Sequence, residues 1–276
     1  MPEGQRRLRV RFAKSGKIRF TSHRDVARIW ERALRRSRLE VAYSQGFTPH
    51  PLLAFGLALP TGCESRGEYL DIRLGPVEPE ETPVSELPEL LSGLLPVGME
   101  VQAARLVDRA EGSLQQEVAS CDWELEVLGL SGVELAERVE RMLTAPSLTV
   151  RRERKGRHVD DDIRPAILEL SVTDPEGRLR AEVATHPRGV RPTDLIAALG
   201  VGAAPGRACR THQWIERGGA RFEPLALGGL GTPAAATQHA RRDLPHVRDR
   251  HQRDPGGSPP GGDASTGCAP GGIGEH

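Results

Sequence analysis

The chain has 276 residues and carries 38 Lys+Arg against 38 Asp+Glu, a formal net charge of zero. Its length suggests about two domains, and no stretch approaches the ~18 apolar residues that a membrane span needs. Four isolated cysteines, Cys63, Cys121, Cys209 and Cys268, form no CxxC pair and have no paired histidine nearby, which argues against a disulfide scaffold or a zinc site and for reduced thiols.

The zero is not local. Residues 1–60 hold 13 Lys+Arg and 4 Asp+Glu, whereas residues 61–130 hold 4 and 15. A basic block of this kind is the footprint of a polyanion partner. Equally, the two blocks can neutralise each other across a fold.

Along the chain, residues 6–12 alternate as a strand, with Leu8, Val10 and Phe12 on one side and Arg7, Arg9 and Arg11 on the other, solvent side. A turn at 15–17 leads to a short strand continuation at 18–20. Ser22, with Asp25 three residues on, then caps a helix that runs to about Arg38. Val26, Ile29, Trp30, Ala33 and Leu34 form its apolar stripe, and Arg24, Arg28, Arg32 and Arg35 line the opposite side. A Gly/Pro-rich loop at 41–51 follows. Strands are expected at 52–59, 68–74 and 99–107, with a short helix at 84–95 before the last. Residues 113–222 read in the same order: strand 120–127, helix 132–143, strands 148–154, 166–173 and 179–184, helix 193–199 and strand 208–216.

The expected fold is therefore α+β, two tandem ferredoxin-like (βαββαβ) units over 1–110 and 113–225. Residues 228–276 contain 11 Gly and 6 Pro with no apolar period, and are expected to be a disordered tail.

Three segments carry candidate chemistry. The loop Gln45-Gly46-Phe47-Thr48-Pro49-His50-Pro51, with Tyr43 just before it, displays aromatics, a hydroxyl and an imidazole on a frame stiffened by proline, which suits base stacking as well as a purely structural loop. The arginines of the first strand and helix (Arg9, Arg11, Arg24, Arg28, Arg32), with Lys17 and Arg19 between them, form two rows suited to a phosphate backbone. The charged segment 151–165 either closes on itself as a neutral hairpin or presents Lys155, Arg157 and Arg164 to a phosphate. Asp160–Asp162 lack the glycine and distal glutamate of a calcium loop. No P-loop, dinucleotide fingerprint, nucleophile elbow or zinc-protease pair is present, so no metal and no cofactor is expected. His23 and His50 are the weak candidates for acid–base work.

Lys17-Ile18-Arg19-Phe20-Thr21-Ser22-His23-Arg24-Asp25, Ala42-Tyr43-Ser44-Gln45-Gly46-Phe47-Thr48-Pro49-His50-Pro51 and Gly67-Glu68-Tyr69-Leu70-Asp71 together resemble the uncharacterised radical-SAM-linked domain family, over about residues 5–220. Members of that family are fused to a radical S-adenosylmethionine protein or encoded separately, often near ribonuclease E/G and ribosomal-protein genes. The resemblance supplies no catalytic residue, and the chain has no Cys-x3-Cys-x2-Cys cluster motif of its own. It implies a non-catalytic RNA-binding or substrate-presenting accessory module that works with a radical SAM enzyme on RNA or ribosomal substrates. The alternatives are an RNA-processing or RNA-modifying enzyme using a loop histidine, and a protein-interaction adaptor using the acidic segment. A cytoplasmic location, and no membrane partner, are expected.

Overall fold

In a computed structural model the described residues are 6–75, 83–107, 111–154, 156–174 and 177–227. The expected tail, 228–276, lies outside them. No helix among these residues is long and apolar enough to cross a membrane.

The first strand, β1 (Arg7–Lys14), is followed by a 3-10 turn and helix α1 (His23–Ser37). Ser22 accepts a hydrogen bond from the Asp25 backbone N–H, so the cap read from sequence is formed. Val26, Trp30, Ala33 and Leu34 are the buried positions of α1, and Trp30 meets Phe12 edge-on at 5.1 Å. Then come β2 (Leu53–Phe55), β3 (Glu64–Arg73), α2 (Leu87–Ser92) and β4 (Met99–Val107). A short α3 (Leu114–Glu117) leads into β5 (Val118–Leu128) and α4 (Gly132–Thr144). β6 (Thr149–Arg154) and β7 (Arg157–Asp162) form a separate hairpin. β8 (Ile167–Asp174), β9 (Arg178–Ala184), α5 (Pro192–Ala198), β10 (Ala204–Arg217) and β11 (Ala220–Phe222) complete the order.

The two expected ferredoxin-like units are not separate. One mixed sheet of nine strands runs β4-β1-β3-β10-β5-β9-β8, with β2 also paired to β3 and β11 to β10. The chain is therefore not two tandem units but a single sheet with one two-stranded satellite. The strand expected over 52–59 is three residues long, ends before Gly56 and covers only Leu70–Ile72 of the β3 edge. β3 runs on past it to Glu64, and β10 takes up that end of the edge in parallel, Cys209 opposite Glu64 and Arg210 opposite Ser65, which joins the two halves.

Leu8, Val10 and Phe12 pack with Leu70, Ile72, α1 and α2 in one apolar cluster. Trp123, Leu125 and Val127 pack with α4 and α5 in a second. Between the two lies charge. Arg210, 2% exposed, lies over the Trp123 ring at 5.6 Å and donates to both carboxylate oxygens of Glu68 at 2.7 Å. Its Nη2 also donates to the Leu57 carbonyl at 2.7 Å.

Removing one partner of a buried pair strands the other charge. Arg210→Met is expected to cost about 3–5 kcal/mol in urea unfolding, while Glu68→Leu with Arg210→Met recovers most of the loss. Equal losses in the single and double variants would mean that packing, not pairing, holds this seam.

Candidate functional site

Residues 18–20 do not continue β1 as a strand but lie in the 3-10 turn Gly16–Phe20. Gly16 adopts φ +68°, which reverses the chain, and its N–H donates to Glu64 at 2.9 Å. The Lys14 ammonium donates to the carbonyls of Arg19, at 3.3 Å, and Thr21, at 2.9 Å, which draws those groups inward and away from any sheet partner. Arg19 pairs with Glu64 at 3.4 Å and lies over the ring of exposed Phe20 at 4.5 Å. Lys17 is exposed.

The outer side of α1 carries Arg24, Arg28, Arg32, Arg35 and Arg36, all exposed. Arg28 pairs with Asp25 at 3.2 Å, and the other four make no ion pair among the described residues. The 41–51 loop is closed at its base by the Tyr43–Pro51 bridge and by Ser44, whose N–H donates to the His50 carbonyl and whose Oγ accepts from the His50 N–H. Its tip turns at Gly46, φ +128°. Tyr43, Gln45, Gly46, Phe47 and His50 are all exposed, and the Phe47 ring has no cover at all. His50 Nδ1 reaches Glu31 of α1 at 3.4 Å. Glu31 stands three residues from Arg28 and four from Arg35, so this contact ties the loop to the arginine stripe.

Arg9 and Arg11 are elsewhere. The expectation of a solvent-side row on β1 is wrong: Arg9 is 0% and Arg11 4% exposed. The sheet's second face is covered here by Leu114 of α3 and by Leu225, which pack with Tyr69. Arg9 is held bidentate by Asp71 at 2.7 and 2.9 Å and reaches Glu111 at 3.3 Å. Arg11 donates to Gln102 at 3.1 Å and Glu223 at 2.6 Å. Neither guanidinium is open to a phosphate. Of the second charged segment, Arg157 is exposed on the β6–β7 hairpin, and Lys155 lies outside the described residues. Arg164 donates to the carbonyls of Leu143 and Ile167 and braces α4 against β8. Arg151 pairs with Asp160, Arg188 with Asp161, and Arg152 with both Asp161 and Asp194, so the hairpin's charges are largely answered internally.

A cavity of about 20 Å³ opens between β1, the start of α1 and the residues after β2, lined by Phe12, Lys14, His23, Phe55, Leu57 and Glu68. His23 is exposed and meets the Phe55 ring edge-on at 5.0 Å. Lys14 is 2% exposed, and burial pushes its ammonium below the usual lysine value. Burial also pushes the Cys121 and Cys209 thiols up to about 11. Lys14 was not singled out from sequence, Glu68 entered only within the Gly67–Asp71 motif, and Arg210, expected with Thr211 and His212 to add to the charged surface, is buried instead. A signal for Lys14 and Glu68 was there: each extends an apolar row, Lys14 after Leu8, Val10 and Phe12, and Glu68 before Leu70 and Ile72.

A single mixed sheet with α1, α2, α4 and α5 packed on one face, carrying an exposed arginine helix and an aromatic loop, is the class of protein these features define. The chain belongs to the family described as uncharacterized protein conserved in bacteria (DUF2344), whose model matches residues 7–192. That span takes in β1 to the first residue of α5, including Lys14, the 41–51 loop and Glu68, and stops short of Arg210. The family description names no chemistry. No curated protein matches the chain in sequence.

The lowered Lys14 value gives a pH signature. Between the folded value and the ordinary 10.5, the unfolded chain holds more protons, so this residue's contribution to stability rises with pH; below the folded value its full desolvation cost is present. The difference in unfolding free energy between the native chain and Lys14→Met is expected to move in favour of the native chain from neutral pH towards 10.5. A difference flat with pH in denaturant titrations would rule out a perturbed Lys14.

Proposed function

We propose that this protein is a non-catalytic RNA-binding module that presents an RNA or ribosomal substrate to a partner enzyme. The observation that carries the reading is the junction of the 41–51 loop with α1: an uncovered Phe47 ring tethered, through His50 and Glu31, to a stripe of arginines that have few ion-pair partners of their own. Guanidinium groups in a row hold phosphates, and an exposed aromatic stacks an unpaired base. Tyr43 and Gln45 are exposed on the same loop and would contact the base or its sugar. The contact surface proposed here is Lys17, Arg24, Arg28, Arg32, Arg35 and the loop; Arg9 and Arg11 act inside the fold.

Partnership with a radical S-adenosylmethionine enzyme rests on the motif resemblance alone. Co-purification of the native chain with such an enzyme from cells is its test, and recovery with RNA but without that enzyme would remove this part. The adaptor alternative draws less support. Glu68, Asp71, Glu111, Glu117 and Glu124 of the acidic segment are engaged by arginines of this same chain.

Binding to a single-stranded RNA is expected to weaken steeply with salt. Replacing Arg24, Arg28, Arg32 and Arg35 together by glutamine is expected to flatten the dependence by up to about 3–4 in log–log slope. Phe47→Ala is expected to weaken binding by about 1–3 kcal/mol without changing that slope. An affinity unchanged between low and moderate salt, measured by fluorescence anisotropy, would sink the reading.

A further inference from the structure

The cavity beside Lys14 holds an imbalance of charge. An ammonium has three protons to give. Two go to the carbonyls of Arg19 and Thr21, and the third has no acceptor among the described residues. The nearest buried carboxylate along the seam, Glu68, spends both oxygens on Arg210. Two cations and one anion are thus buried together, and an uncompensated buried charge costs several kcal/mol. The space in front of Lys14, about 20 Å³, is room for about one water or one oxygen atom of a larger group. At its mouth stands His23, an exposed ring whose nitrogens have no hydrogen-bond partner among the described residues. Phe12, Val26, Phe55, Leu57 and Leu59 form apolar walls that strengthen pairing with Lys14, and the Glu68 carboxylate that also lines the cavity has its charge answered by Arg210.

We propose that this cavity is an oxyanion site for a phosphate monoester, one oxygen seated against Lys14 and the others at the mouth beside His23. The arrangement selects a terminal phosphate over a backbone phosphodiester. Only one oxygen enters and the others face solvent beside His23, where a monoester presents a second charge and free oxygens and a diester presents weakly accepting ester oxygens instead. The phosphate comes from free inorganic phosphate or from the end of an RNA; in taking the second source, the inference rests on the RNA reading above. A bound anion also keeps Lys14 charged, opposing the desolvation that lowers its pKa.

The test uses the full chain and three short single-stranded RNAs of one sequence, with a 5′-phosphate, a 3′-phosphate or hydroxyls at both ends. Inorganic phosphate is the small probe. One phosphorylated end is expected to bind about tenfold tighter than the hydroxyl-ended RNA, a charge-assisted contact's worth. Lys14→Met and His23→Ala are expected to shrink that difference, and inorganic phosphate to raise the unfolding temperature and shift the Lys14 side-chain NMR signal. If Lys14→Met fails to fold, the exposed His23→Ala decides. Equal affinity for all three RNAs, with no effect of inorganic phosphate on the unfolding temperature or on Lys14, overturns the site while leaving the RNA reading intact. Stabilisation by inorganic phosphate that His23→Ala weakens, with no RNA bound at any salt, upholds the site and removes RNA as its source.

Discussion

The structure depends on pairing charges that folding removes from water. A guanidinium or carboxylate buried alone costs several kcal/mol, so each must find its counter-ion before the sheet can close. Glu68 and Arg210 do this on the helix-covered side, and Asp71 and Arg9 on the other. Each pair joins two strands with bidentate geometry, which fixes orientation as well as proximity. The apolar clusters on either side of the Glu68–Arg210 seam supply the bulk of the burial, but the seam determines how their strands meet.

The same pairing explains the uneven charge along the chain. The basic first 60 residues and the acidic segment after them are partly two halves of one internal ledger: Arg7 and Arg9 with Asp71, Arg9 with Glu111, Arg19 with Glu64. What remains outside is the arginine stripe of α1, and it stands next to the loop that displays Phe47. Net charge is therefore a poor guide to this surface, whereas the distribution left after internal pairing is a good one.

Much of this was legible in the sequence. The Ser22 cap, the α1 stripe and the 99–107 strand fall where the residues place them, because caps and periodicity are local. The loop at 41–51 stands out for the same reason. The burial of Arg9 and Arg11 was not legible. Alternation places them on the face opposite Leu8 and Val10, but only the distant Leu114 and Leu225 make that face an interior. The single sheet was missed for a related reason, since the parallel contact of β3 with β10 joins residues about 145 positions apart, and nothing local to residue 210 announces it. Lys14 and Glu68 were legible in principle, as charges interrupting apolar rows.

The Glu68–Arg210 contact also has a schedule. Its partners are 142 residues apart. At about 5–20 residues per second on the ribosome, Glu68 waits roughly 7–30 seconds for Arg210 to be made. During that interval β1 to β4 can assemble, yet β3 keeps an open edge and an unmatched carboxylate. A bare edge is an invitation to pair with another chain, and an inward-pointing charge is one of the devices that discourages it. Glu68 serves the nascent chain as a guard on that edge before it serves the finished protein as one half of a seam.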